Sequence, residues 1–123
     1  MPKHHREVPT KQVRWVGTTA IMDLRQTRGH PDSRGLVRAM FAVLRKGADR
    51  IVVNLKEVGL LYDDIPCGLM SFMARVGDRK VTVCLCCLSE NAQELLKITN
   101  LDTLFDVFAT EEDALGWAGP AEQ

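Results

Sequence analysis

Apolar residues recur along this chain in two rhythms, and the switches between them mark out the elements. "QVRWV" and "TTAIMDL", on either side of Gly17, read as two short strands joined by a turn. "RQTRGHPD" is a loop punctuated by Gly29 and Pro31. Leu36, Val37, Met40, Phe41 and Leu44 then fall at helical spacing, with Asp32 or Ser33 to cap the helix and Gly47 to stop it. "RIVVNL" (50–55) is a near-continuous, β-branched run, as expected of a strand buried on both faces. A helix is predicted over about Pro66 to Val76, with Leu69, Met70, Phe72 and Met73 on its apolar side. "GDRK" turns the chain into a second buried strand, "VTVCLCCL". Ser89 caps "ENAQELLKIT", from which Leu95, Leu96 and Ile98 are expected to face inward. "LFDVF" is a third short strand, and Thr110 with Asp113 has capping-box spacing for a last helix, "EEDALGWA".

The order is thus two strands, then helix–strand three times, then a closing helix. Strands that alternate with helices of this length pair in parallel through crossovers. The expected fold is a single α/β domain over 12–119: a mixed sheet whose parallel strands are joined by helices, plus an N-terminal strand pair. Residues 1–11 carry few apolar side chains and read as a flexible tail.

Composition narrows the function classes. Hydrophobic residues at 46% and charged residues at 26% suit one packed core. Sixteen basic and sixteen acidic residues cancel, which argues against nucleic acid as a partner, since its capture needs a concentrated basic face. No apolar run approaches the roughly 20 residues of a membrane helix, so no membrane insertion is expected. The polar, basic start "MPKHHREVPTKQ" does not read as a secretory signal, which points to a cytoplasmic protein.

Candidate catalytic groups are thin. His4 and His5 lie in the tail and His30 in a loop, away from any serine or cysteine at a strand end. No glycine-rich phosphate loop follows a strand. Three of the four cysteines, Cys84, Cys86 and Cys87, crowd one strand. Alternation puts Cys87 on the face opposite the other two, so neither a disulfide nor a zinc site is expected, and no metal or cofactor is assigned. Cys67, in the first turn of a helix, is expected to be buried packing.

"LLYDDIPCGLM" (60–70) is the stretch with chemistry left over. Asp63 and Asp64 stand where a helix begins, and Pro66 suits its first turn because the missing N–H costs nothing there. Pro66 also disfavours helical geometry at Ile65. Either Asp64 caps the helix, or Ile65 is the cap residue and both acids stand outside it. Capping accounts for one acid and leaves the other.

From about Arg14 to Trp117 the chain resembles a STAS domain, the module of bacterial anti-sigma-factor antagonists and of sulphate transporter tails. "RIVVNLKEVGLLYDDIPCGL" fits the family's strand and Asp-Ser-Ser-Gly segment without gaps, and "LSENAQELLKITNLDTLFDVFATEEDALGWA" follows its later block closely. The resemblance implies a non-enzymatic, protein-binding regulator of signalling and transcription by partner switching. Its partner would be an anti-sigma factor or serine-kinase-like protein, and a homodimer is left open. Members that serve as accessory subunits of an ABC-type lipid transport assembly are the alternative, with a transporter subunit as partner. The departures fall on the switch: Tyr62 stands at the motif aspartate, Asp63 at the phosphorylated serine, Asp64 at the second serine and Ile65 at the glycine. With Cys67, these form the expected protein-binding site.

Overall fold

The structure, a computed structural model, describes residues 10–25, 33–59, 64–77 and 80–116. Its elements, in chain order, are β1 (Thr10–Val16), β2 (Thr19–Arg25), α1 (Ser33–Arg45), β3 (Arg50–Glu57), α2 (Asp64–Val76), β4 (Thr82–Cys86), α3 (Glu90–Ile98), β5 (Asp106–Phe108) and α4 (Glu111–Gly116). A 3-10 turn at Leu101–Thr103 links α3 to β5. The five strands form one sheet in the order β1-β2-β3-β4-β5. β1 and β2 are antiparallel, and every other pairing is parallel, as the alternation of strands and helices predicts. Gly17, at a left-handed φ of 60°, makes the tight β1–β2 turn that closes on the Val16–Thr19 pair. β1 begins at Thr10, inside the segment whose composition reads as tail.

Strand alternation divides the interior in two. Ala20, Met22, Ile51, Val53, Val83 and Leu85 are buried in the main core, with Leu36 and Met40 of α1 and Leu69 and Phe72 of α2. The intervening residues Ile21, Val52, Cys84 and Cys86 form a smaller core that is closed by Ala114 of α4. α4 thus covers a sheet face of its own, and the polar residues of that face lie beyond its apolar centre.

Several local expectations are corrected. α2 starts at Asp64 rather than Pro66, so Ile65 is helical despite the following proline. Pro66 is still within the first turn, where its absent N–H breaks no helical bond. The core stripe of α2 runs Ile65–Leu69–Phe72–Val76, which turns Met70 outward at 47% exposure and leaves Cys67 exposed rather than buried. Ile98, expected inside, is 76% exposed because Ala92 and Leu96 take the buried face of α3. Ser89 is its N-cap, as predicted, accepting a hydrogen bond from the Ala92 N–H. Thr110 Oγ1 likewise accepts from the Asp113 N–H at 3.1 Å and starts α4.

β4 holds the least expected departure. It ends at Cys86, and Cys87 takes a left-handed φ of 63°. That breaks the alternation on which the opposite-face reading rested, and Cys87 packs on the same cluster as Cys84 and Cys86. A non-glycine residue held there costs on the order of 1–3 kcal/mol.

Candidate functional site

The candidate stretch lies in sequence between β3 and α2 and includes the start of α2. Tyr62 and Asp63 lie outside the described residues, as does the Asp64 side chain; the Asp64 backbone opens α2. Ile65 is buried at 4% exposure, so its side chain anchors the helix start to the core. Cys67 is exposed, and Met70 and Ala74 continue outward on the same side. The fold thus brings Cys67 to the surface beside the helix start and takes Ile65 away from it.

Both flanks of the loop are tied down. On the strand side, the Val58 N–H donates to the Leu55 carbonyl at 3.0 Å. On the other side Ser89 does two jobs: its hydroxyl donates to the Gly59 carbonyl at 2.8 Å while its oxygen caps α3. One short side chain therefore couples the β3–α2 loop to the start of the next helix.

Beneath the other sheet face lies a polar clamp that reading the sequence missed. Arg14 of β1 is bidentate to Asp23, with Nε and Nη2 each at 2.7 Å from a carboxylate oxygen. It also reaches Glu111 of α4, through Nη1 at 3.0 Å and Nη2 at 2.6 Å. Asn54, 7% exposed, donates to Glu111 Oε1 at 2.7 Å and accepts from the Lys56 N–H at 2.8 Å. Arg50 adds a bond to the Leu115 carbonyl at 3.4 Å, so both ends of α4 are held to the sheet. Arg14, Asp23 and Asn54 are polar residues at positions that share the α4 face. The signal was present in strand parity, but which helix would cover that face was not.

These residues line a cleft of about 230 Å³ together with Gln12, Leu24, Lys56 and Glu57. Arg14, Asp23 and Glu111 within it are engaged with one another, and Gln12 Nε2 joins the Arg14–Asp23 pair at 3.2 Å from Asp23. The arrangement suits a strut that fixes α4 better than a reacting centre. The Arg14 guanidinium is held still more firmly protonated, first by its hydrogen bonds to Asp23 and then by those to Glu111. Glu111 is held below the usual carboxylate range, chiefly by the hydrogen bonds from Arg14. Its folded pKa lies below its unfolded one, so the stability it contributes is complete above the unfolded value. That contribution is lost as pH falls through the folded value. Acid titration of the denaturant midpoint should therefore show a decline that Glu111→Gln flattens. A Glu111→Gln chain with the wild-type acid profile would remove Glu111 from this role.

Among the described residues no group of three or more histidine, cysteine or acidic side chains could hold a metal ion. No helix is long and apolar enough to cross a membrane, again among the described residues. Burial pushes the Cys84 thiol up to about 11 and the Cys86 thiol higher still, so both stay protonated in the resting protein.

No family model matches the chain, and no curated protein matches it. Solved structures do. The protein TM1081 of Thermotoga maritima superposes with a TM-score of 0.75 at 18% identity, over 94% of this chain and 90% of that one. An anti-sigma-factor antagonist (STAS) domain protein from Planctomyces limnophilus gives 0.69 at 16% identity, over 85% and 93%. The anti-sigma factor antagonist SpoIIAA, in its unphosphorylated form, gives 0.70 at 17% identity, over 85% and 91%. Identities this low speak for the architecture: this chain has the STAS-domain fold.

Proposed function

We propose that the chain is a non-enzymatic, cytoplasmic regulator that binds a protein partner in the manner of an anti-sigma-factor antagonist. The observation that carries this reading is the STAS fold with an Asp-Asp pair at the entry to α2, where the fold's phosphorylated members place serines. The binding surface comprises residues 61–63, the first turn of α2 and the outward side of that helix, where Cys67 and Met70 are exposed. Helix N-termini favour anions, so a phosphate on the first serine is well placed in such relatives. Asp63 puts a permanent single charge there, less than the roughly −1.5 to −2 of a phosphoserine and with fewer acceptor oxygens. The partner therefore meets one fixed charge state where a switching relative presents two, and an anti-sigma factor or serine-kinase-like protein is the partner class this suits.

Recovery of partners from the source cell with the intact chain identifies the class, and affinity for that partner tests the loop. Asp63→Ala should cost at most about 1 kcal/mol of stability as a lost cap. It should weaken partner binding by about tenfold or more, equivalent to roughly 1.4 kcal/mol, because a charge central to an interface discriminates strongly. Asp64→Ala is the companion variant. If both bind like wild type while Leu104→Asp, on the β5 side where Leu104 is 57% exposed, abolishes binding, the reading fails. Recovery of a transporter subunit instead would favour the transport alternative.

A further inference from the structure

The left-handed residue at the end of β4 sets up a second piece of chemistry, away from the loop. Cys84, Cys86 and Cys87 share the cluster beneath α4. Continued strand geometry would send Cys86 and Cys87 to opposite faces; with a φ of 63° at Cys87, both pack in one cluster on the same face. The two thiols differ in access, since Cys86 is fully buried and Cys87 half-buried. Cys87 is also fixed by its backbone, whose N–H donates to the Phe108 carbonyl at 3.2 Å. Two residues later comes Ser89, the side chain that joins the β3–α2 loop to α3.

We propose that Cys86 and Cys87 are a redox modification site, closing to a vicinal disulfide under a hydroperoxide oxidant and loosening the Ser89 joint as they close. The half-buried Cys87 thiol takes the terminal oxygen of the hydroperoxide, becoming a sulfenic acid and releasing water when the oxidant is hydrogen peroxide. The Cys86 sulfur then attacks the Cys87 sulfur. An S–S bond forms, the S–O bond breaks, and the Cys86 proton leaves with the hydroxyl as a second water. The two thiols together lose two electrons, which reduce the peroxide. Adjacent Cα atoms are about 3.8 Å apart, shorter than the usual disulfide window of roughly 4.4–6.8 Å, so the bond is strained and readily reduced. That strain makes the site reversible, and it is relieved by turning the backbone of Cys87 and of the residues leading to Ser89.

The test oxidises the full reduced chain with hydrogen peroxide, then counts thiols after denaturation and maps them by tandem mass spectrometry. A bond joining Cys86 to Cys87, with Cys84 still alkylatable and full recovery in dithiothreitol, is expected. The Cys87→Gly chain keeps the left-handed backbone without a thiol, and there the loss should vanish. Amide exchange at Ala92, whose N–H Ser89 caps, should quicken by about fivefold or more in the oxidised wild type, the change that matches a lost side-chain cap. No intramolecular disulfide, or one that uses Cys84 or Cys67, would overturn the site. Unchanged exchange at Ala92 in the closed form would overturn its action on Ser89.

Discussion

Replacing Phe72 with alanine is expected to destabilise the domain by about 3–5 kcal/mol, the range for emptying a large aromatic site in a packed core. The ring is fully buried, and its centroid lies 4.9 Å from that of Phe41 in a tilted pair at 59°. Phe41 belongs to α1 and Phe72 to α2, so this pair is part of what holds the two helices together on one sheet face. Removing it leaves a cavity and also forfeits an aromatic contact worth roughly 0.5–1.5 kcal/mol beyond area. A domain of this size has a total stability on the order of 5–15 kcal/mol, so about a fifth or more is at stake. Urea denaturation checks it: the midpoint should fall while the slope stays constant. A loss below about 1 kcal/mol would mean that the helices close over the gap and the pair is not a determinant of the core. The variant also serves as a control for the Asp63 experiment, because it perturbs α2 from the inside without touching its exposed side.

Asn54→Asp should be the most damaging near-isosteric change in the molecule. The amide Nδ2 donates to Glu111 Oε1 at 2.7 Å, and the substitution puts a carboxylate oxygen in its place. Two carboxylates at that distance, at a position 7% exposed, must share a proton or separate. The expected cost at neutral pH is about 2–4 kcal/mol, at or just below the figure for breaking a buried charged network because Arg14 remains close by. The sign with pH follows from linkage. The new acid's folded pKa is raised above its unfolded value of about 3.9, so the penalty is absent below that value and grows as pH rises through it toward the folded pKa. The stability gap between Asn54→Asp and wild type should therefore narrow in acid. A gap of the same size from pH 4 to pH 8 would show that shape, not charge, sets the cost. Asn54→Ala removes the donor without adding charge, so it should keep only the smaller acid-side dependence that follows from Glu111 losing one of the hydrogen bonds that lower its pKa.

Much of the fold was legible because its determinants are local. β-branched runs at 50–55 and from residue 81, helical spacing at Leu36, Val37 and Met40, and the caps at Ser89 and Thr110 act within a few residues of themselves. Their placement followed from propensity and from free backbone groups that need partners. The entry of α2 was misplaced by two residues because Pro66 speaks against helix at Ile65, while burial of Ile65 against the core speaks for it. Apolar spacing alone puts Met70 and Ile98 inside, and the acids beside Cys67, which oppose a thiolate, speak for a buried thiol there. Each gave way to a neighbour with better alignment to the sheet.

The sequence by itself determined the alternation of strands and helices, the parallel pairing it forces, and an Asp-Asp pair at the head of a helix. Tertiary structure decided what alternation within a strand leaves open, namely which element covers each face. Arg14, Asp23 and Asn54 became a clamp only because α4 returns beneath the sheet and brings Glu111 to them, 97 residues from Arg14 along the chain. Cys87 joined Cys86 only because the chain must leave β4 in a left-handed turn, a choice made by packing at the strand's end. Both are long-range or strained arrangements, whose stability comes from partners distant in sequence, and a local pattern carries no record of those partners.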